Sequence, residues 1–455
     1  MKRQKIYFLL IVSVLFYLGL NETCYASNKE GKIYKNIYIE NIDVSGLTKN
    51  EAIKKINDLV YTNNIINLNC KDKIYTLNLN DINFKYEIEK ATSNAYELSR
   101  KDNLLKNIKT KINLYLGNKI NFELETKYEK EKLDLYINNL ARSINIQPLN
   151  ADIKINENEF IVSNEKNGIN LNEKKLFEII NERLINKQYE DIEIPINKIS
   201  AEYTYEELSK INTILGKYET EFNAENYNRS NNIKVAINNI DNMIIKPNNE
   251  FSFNKFIGRR SIERGFKEAP VIINGELKPG MGGGICQVSS TIYNSALYAG
   301  LEIVQAKNHS IPSAYIPKGR DAAVSYGNID LIFKNNYSYP ILIQNKVEGN
   351  KVVSIIYGNN QDKRQIDIDT CIVETIEPKT TIKDSKKLNQ GSRKIESKGR
   401  KGYKVNTYRI YRKSDGEIEK KEFINESYYP PKNKVIIKGT NKNHNEINET
   451  NIKII

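Results

Sequence analysis

Three consecutive glycines, Gly282, Gly283 and Gly284, run straight into Ile-Cys-Gln-Val-Ser-Ser-Thr-Ile-Tyr-Asn-Ser-Ala-Leu, and no other segment constrains the fold as strongly. Glycine alone tolerates positive φ and close backbone approach, so such a run bends the chain sharply. The residues after it read as one helix beginning near Gln287, with Cys286 in its first turn. Around it lie alternating segments: Ile329, Leu331 and Phe333, then Ile341 and Ile343, with Glu348-Gly349-Asn350 as a hairpin turn before 352–357. The stretch 218–358 is therefore expected to be a mixed β domain with one buried helix.

The 455 residues allow about three domains at roughly 150 residues each. A 39% hydrophobic and 27% charged composition excludes wholesale disorder and a multi-span membrane protein. With two histidines and four scattered cysteines, a structural zinc site, a disulfide scaffold and an iron–sulfur cluster are not expected. Neither a metal nor a cofactor is called for. At the N-terminus Lys2, Arg3 and Lys5 precede an apolar run over 6–20, and the small residues Cys24 and Ala26 suit cleavage before Ser27. Residues 1–26 are read as a signal peptide, with an N-terminal membrane anchor as the alternative. Either way the body lies outside the cytoplasmic membrane, in the wall or at the membrane's outer face. There the net charge of +13 meets wall polymers and lipid headgroups rather than nucleic acid. Residues 371–455 carry 20 Lys+Arg against 11 Asp+Glu, so much of the excess sits at the C-terminal end.

Across 33–200 a strand-then-capped-helix pattern recurs. Residues 37–44 read as a strand showing Tyr38, Ile42 and Val44 on one face, and Thr48 with Glu51 form a capping box. Asn170 and Glu173 are placed to cap a second helix carrying Leu176, Ile179 and Ile180, while Leu133, Tyr136, Ile137 and Leu140 mark a third. These openings and the stretch NGINLNEKKLFEII resemble the peptidoglycan-binding domain found ahead of some L,D-transpeptidases. A linker over 201–217 leads to the central domain. In 370–440, Gly391, Gly399, Gly402 and Gly416 punctuate short strands ending in VIIKGT, before a polar tail at 441–455. This block resembles the five-glycine (G5) domain family, and the resemblance implies binding to N-acetylglucosamine-containing polymers. The expected class is α+β multidomain: an α+β wall-binding region, the central domain, and an extended β-sheet domain.

The centre resembles the VanW family, on FSFN (251–254), GFKEAPVI (265–272), PGMGGGICQVSSTIYNSAL (279–297), NHS (308–310) and YIPKGRDAAVSYG (315–327). The resemblance implies an envelope location more directly than it implies a reaction. Three chemistries are open on the residues. Glu268, in a turn before an apolar strand, suits the protonated acid of glycan cleavage, with Asp321 as its partner. Cys286 at a helix N-terminus suits a nucleophile, with His309 as base and Gln287 or Asn308 as polar helper. A small buried cysteine under a glycine turn is the plainer reading of the same residues. Finally, Gln287, Ser289, Ser290, Thr291, Asn294, Asn308 and Tyr315 suit substrate binding, the helix start attracting anions. The expectation is an exported protein that binds and remodels peptidoglycan, cleaving glycan strands as a lytic transglycosylase. The alternatives are a non-enzymatic wall-binding scaffold, or a Cys286/His309 thiol enzyme acting on wall peptides.

Overall fold

The computed structural model describes residues 31–60, 64–156, 159–273 and 275–441. The signal or anchor segment read at 1–26 and the tail beyond 441 lie outside them. The chain divides into two compact units, Met1–Leu149 with Lys166–Ala201, and Asn150–Glu165 with Glu202–Ile455. The architecture is α+β and multidomain, with strands dominating towards the C-terminus.

The first unit has two cores. In one, strand Ile37–Ile39 pairs antiparallel with Ile42–Asp43 and parallel with Ile120–Phe122. The single strand expected over 37–44 is thus a tight hairpin. Glu40 and Asn41 reverse the chain at φ 48° and 63°, which buries Ile37, Ile39 and Val44 instead of Tyr38 and Ile42. Helix α1 (Lys49–Val60) opens with the expected capping box: Glu51 N–H donates to Thr48 Oγ1 at 3.3 Å and Thr48 N–H to Glu51 Oε2 at 2.8 Å. It packs Ala52 and Ile56 against Ala91 and Ala95 of α2 (Ile88–Glu97). Helix α3 (Leu104–Tyr115) buries only Leu114 in this core.

The other core joins α4 (Lys130–Ile144), through Leu133, Ile137 and Leu140, to α5 (Glu173–Asn186), through Leu176, Ile180 and Leu184. Both cover the antiparallel strands Ile65–Cys70 and Lys73–Asn78. The cap of α5 is Asn172, whose side chain accepts from Lys175 N–H at 3.1 Å. Asn170 lies two residues earlier, in strand Gly168–Leu171, which pairs with Ile196–Ile199.

In the second unit a four-stranded antiparallel sheet runs in the order Thr213–Glu221, Lys351–Gly358, Ile341–Glu348, Met243–Ile245. The stretch read as a linker supplies the short helix Tyr205–Leu208 and the start of the first strand. Hairpin strands Ile153–Asn156 and Glu159–Val162 also belong here, with Ala151 and Ile153 clustering with Leu342 and Val353. Helix α6 (Tyr227–Asn238) and helix α7 (Ile285–Tyr298) lie on the sheet, and twelve of the fourteen residues of α7 are buried. Close approach depends on Gly216, where a Cβ would stand 2.3 Å from Ser295 O. Beyond it, Gln365–Ile376, Gly402–Arg412 and Ile418–Tyr429 form an antiparallel sheet, and Lys434–Asn441 pairs with Thr380–Asn389 and Arg393–Ser397. These sheets are thin and largely exposed, apart from residues such as Thr407, Arg409 and Tyr429 that meet the central domain.

Candidate active site

The glycine run delivers Cys286 to the positive end of α7. Hairpin Glu268–Ile273/Glu276–Met281 ends at the first glycine, and Gly284 turns the chain into the helix at φ 107°. A Cβ on Gly283 would sit 2.6 Å from the carbonyl oxygens of Ala269 and Pro270, so the entrance is pressed against the hairpin. Fully buried Asn232 of α6 fastens it, donating to Gly283 O at 3.0 Å and Lys267 O at 2.9 Å.

Polar residues of α7 then zip the segment 320–324 along one side of the helix. Asn294 Nδ2 donates to Arg320 O at 2.7 Å, and its Oδ1 accepts from Arg320 Nε at 2.7 Å. Ser290 Oγ accepts from Ala322 N–H at 2.9 Å, and Ser289 Oγ donates to Ala322 O at 2.7 Å. Cys286 Sγ stands 3.6 Å from Val324 O. On the opposite side Gln287 Nε2 donates to Thr220 Oγ1 at 2.9 Å and Glu221 O at 2.8 Å, and Thr291 Oγ1 shares a hydrogen with Thr220 Oγ1 at 2.8 Å. Buried polar groups need such partners, since an unmet one costs about 1–3 kcal/mol.

The zipper aims Asp321 at His309. Oδ2 of Asp321 accepts from the His309 backbone N–H at 2.7 Å and lies 2.6 Å from His309 Nδ1. Oδ1 accepts from the Tyr429 hydroxyl, which itself accepts from Gly319 N–H at 2.8 Å. With Nδ1 taken by Asp321, the ring also interacts with the Cys286 side chain, whose polar contact and charge both raise it. Asp321 is 1% and His309 6% exposed, while the residue Cys286 keeps partial exposure.

Electrostatics follows from this order. Burial pushes the Cys286 thiol up, but the hydrogen bond and charge of His309, a backbone hydrogen bond at Val324 and the Arg260 guanidinium hold it below the ordinary thiol value. Burial disfavours the His309 imidazolium, yet its bonds to Asp321 and Cys286, with their charges, push it up to about 10. A lowered thiol beside a raised imidazole favours the thiolate–imidazolium pair over the neutral one. Arg229, half-buried and donating to Gln287 Oε1 at 2.6 Å, adds positive charge near the thiol. The Tyr315 phenol is raised by burial and then by the Cys286 charge. Among the described residues no group of three or more His, Cys, Asp or Glu is placed to hold a metal ion.

The structure thus unites Cys286, His309 and Asp321 and leaves Glu268 outside. Glu268 is exposed at the hairpin edge, opposite Met281, with its carbonyl accepting from Asn228. Of the residues expected to bind substrate, Gln287, Ser289, Ser290, Thr291 and Asn294 are 0–1% exposed, with their hydrogen bonds spent inside the protein. Asn308 donates to His309 O and Tyr428 O, and Tyr315 alone of the set adjoins the thiol half-exposed. Sequence reasoning missed Arg229, Arg260 and Tyr429; Tyr429, 108 residues beyond Asp321, carries no local signal of its role.

Residues 228–357 match the family model described as VanW like protein, 75–193 that of the "Putative peptidoglycan binding domain", and 370–441 that of the G5 domain. The chain is 39% identical over 231 residues to YoaR, an uncharacterized protein of Bacillus subtilis (strain 168), an alignment spanning 50% of this chain and 75% of that one. The chain belongs to the VanW family. It is also 28% identical over 139 residues to the vancomycin B-type resistance protein VanW of Enterococcus faecalis (strain ATCC 700802 / V583), covering 30% of this chain and 50% of the relative. A solved IgA1 protease G5 domain aligns at 23% identity and a TM-score of 0.15, over 18% of this chain and 95% of that one. With a peptidoglycan-binding region before its centre and a G5 region after it, this VanW-family chain is a cell-wall-associated protein. Cys286, His309 and Asp321 all fall in the VanW-matched residues, whereas Tyr429 comes from the G5-matched ones.

Proposed function

We propose that this chain is a thiol acyl-transfer enzyme acting on peptide bonds of peptidoglycan, with Cys286 as nucleophile, His309 as acid and base, and Asp321 as the group that orients His309. The observation that carries this reading is the double grip of one Asp321 oxygen on His309, through backbone N–H and Nδ1, in a ring that interacts with the partly exposed Cys286. Nucleophile, base and orienter in that order are the recurrent logic of covalent acyl transfer. The substrate class comes from the wall-binding regions on either side.

The Cys286 thiolate attacks the amide carbonyl carbon, and a C–S bond forms. The positive end of α7, with Arg229 and Arg260 close to the thiol, stabilises negative charge there. Imidazolium His309 gives its proton to the leaving nitrogen as the C–N bond breaks, which leaves a thioester and a free amine. Neutral His309 then takes a proton from water, or from an acceptor amine, whose attack releases the thiolate. Asp321 orients the ring throughout, bonded to His309 through one oxygen and to Tyr429 through the other.

Glycan cleavage by Glu268 has weaker support. That carboxylate is exposed, lacking the burial its acid role calls for, and Asp321 is engaged elsewhere. Mass spectrometry of soluble products from purified peptidoglycan separates the readings. We expect new peptide amines and carboxyls from the wild type, and a loss of about 1,000-fold or more in Cys286→Ala. Products ending in 1,6-anhydro-N-acetylmuramic acid, lost in Glu268→Gln but kept in Cys286→Ala, would overturn the proposal. So would saturable binding to sacculi with nothing released.

A further inference from the structure

Helix α3 is built the wrong way round for a helix of a globular core. An amphipathic helix ordinarily turns its apolar stripe inward. In α3 and its cap residue, Leu104, Leu105, Ile108, Ile112, Tyr115 and Leu116 are instead between 43% and 81% exposed, and only Leu114 is buried. At about 100° per residue those six fall within one arc of roughly 120°, while Leu114 and Thr110 face the other way. Lys109 and Lys111 border the arc on its two sides. Across 101–119 there are five lysines against the single acidic residue Asp102. Lys111 and Lys119 stand over the rings of Tyr34 and Tyr38, at 5.4 and 5.1 Å from the centroids, which draws them close beside the unit's body.

An exposed contiguous apolar face of this kind marks a binding surface. A narrow apolar stripe flanked by lysines, on a helix too short to span a bilayer, fits the boundary between headgroups and acyl chains. Among the described residues no helix is long and apolar enough to cross a membrane. Anionic wall polymers would satisfy the lysines but offer nothing to six apolar side chains. We propose that the outward face of α3 docks the N-terminal unit flat on an anionic lipid bilayer, its apolar arc in the acyl boundary and its lysines on the headgroups. This docking is independent of the chemistry at Cys286.

The chain contains no tryptophan, so Leu105→Trp in the full-length protein places a single reporter on the arc. With phosphatidylglycerol vesicles its emission should shift to the blue and be quenched by lipids brominated on the acyl chain. A Leu135→Trp reporter, on exposed Leu135 of α4, should show neither change. Whatever brings the protein to the vesicle, each reporter senses only its own surroundings. Adding Leu104→Glu and Ile108→Glu to the Leu105→Trp protein should reduce the quenched fraction at least about tenfold, with circular dichroism unchanged, because burial of the apolar arc is what holds it in the acyl boundary. The proposal is overturned by an unshifted Trp reporter at 105 with phosphatidylglycerol vesicles, or by equal quenching in phosphatidylcholine vesicles. It is also overturned by a blue shift that appears without lipid as protein concentration rises, which would assign the face to a second copy of the chain, or by one that appears only with sacculi.

Discussion

Helices α5 and α7 have the same length and opposite logic. On α5 the apolar residues Leu176, Ile180 and Leu184 are buried, while Glu173, Lys174 and Lys175 face water. There a polar residue marks the surface. On α7 burial runs all the way round, and Gln287, Ser289, Ser290, Thr291, Asn294 and Ser295 are as enclosed as Val288 and Ile292. There a polar residue marks a fixed partner: Thr220, Ser354, or the backbone of Arg320 and Ala322. A helix needs only an apolar stripe to be held in place. The added bonds of α7 set the register of 320–324, and that register puts Asp321 within reach of His309 while Cys286 sits at the helix tip. Buried hydrogen bonds contribute little net stability for their number. Their value here is in geometry.

The comparison breaks most visibly in paired substitutions. Asn294→Ala should cost about 2–4 kcal/mol, since it deletes two bonds to Arg320 and strands buried polar atoms. Ile180→Ala should cost a similar 2–5 kcal/mol through its cavity. Denaturant melts would register both. Only Asn294→Ala should also slow alkylation of Cys286, because only it loosens the segment that aims Asp321. If both variants leave the thiol equally reactive, the polar face of α7 is packing and nothing more.

A smaller effect tests the reach of that geometry into the G5 region. Tyr429→Phe removes the donor from Asp321 Oδ1, a hydrogen bond to a charged group worth about 1.5–3 kcal/mol. Neighbouring Tyr428 is 48% exposed, and Tyr428→Phe should stay within about 0.5 kcal/mol of wild type. Thermal melts showing equal effects in the two variants would mean that Tyr429 takes no part in holding the carboxylate.

Legibility in the sequence divides along the same line. The capping box at Thr48 and Glu51, the stripes of α4 and α5, and the hairpin turn at Gly349-Asn350 are local patterns, and the chain builds each of them. Residues 37–44 alternate like one strand, but two consecutive positive-φ residues fold them back, a choice made by pairing with the distant strand Ile120–Phe122. Asn170 yields its capping role to Asn172 because strand pairing with Ile196–Ile199 extends through Leu171. At the site, residue type marks Cys286, His309 and Asp321 as reactive but not their grouping, and on sequence alone Asp321 pairs with Glu268 instead. The grouping depends on which serine or asparagine of α7 meets which backbone amide of 320–324, and those residues look like surface in a one-dimensional pattern.

The mildest test sets two thiols of one molecule side by side. Cys286 is half-buried beside His309, and Cys371 is exposed on a G5 strand. By accessibility alone Cys371 should react faster with iodoacetamide. The shift at Cys286 reverses the order: with its proton lost below the ordinary thiol range, it is more ionised at pH 6 than an unperturbed thiol near 8.5, which is about 0.3% thiolate there. Lower basicity makes each thiolate a weaker nucleophile, so the net advantage should be about tenfold, less than the gain in ionised fraction alone. Site-resolved peptide mapping after brief labelling measures the ratio. The advantage should shrink as pH rises, and the imidazolium partner is lost only as pH passes about 10. Asp321→Asn removes the charge that raises His309, so the imidazolium should give up its proton at lower pH and the acid limb of Cys286 labelling should move upward. A Cys286 that labels no faster than Cys371 at pH 6, or a limb that Asp321→Asn leaves in place, would mean that the burial around α7 encloses an ordinary thiol.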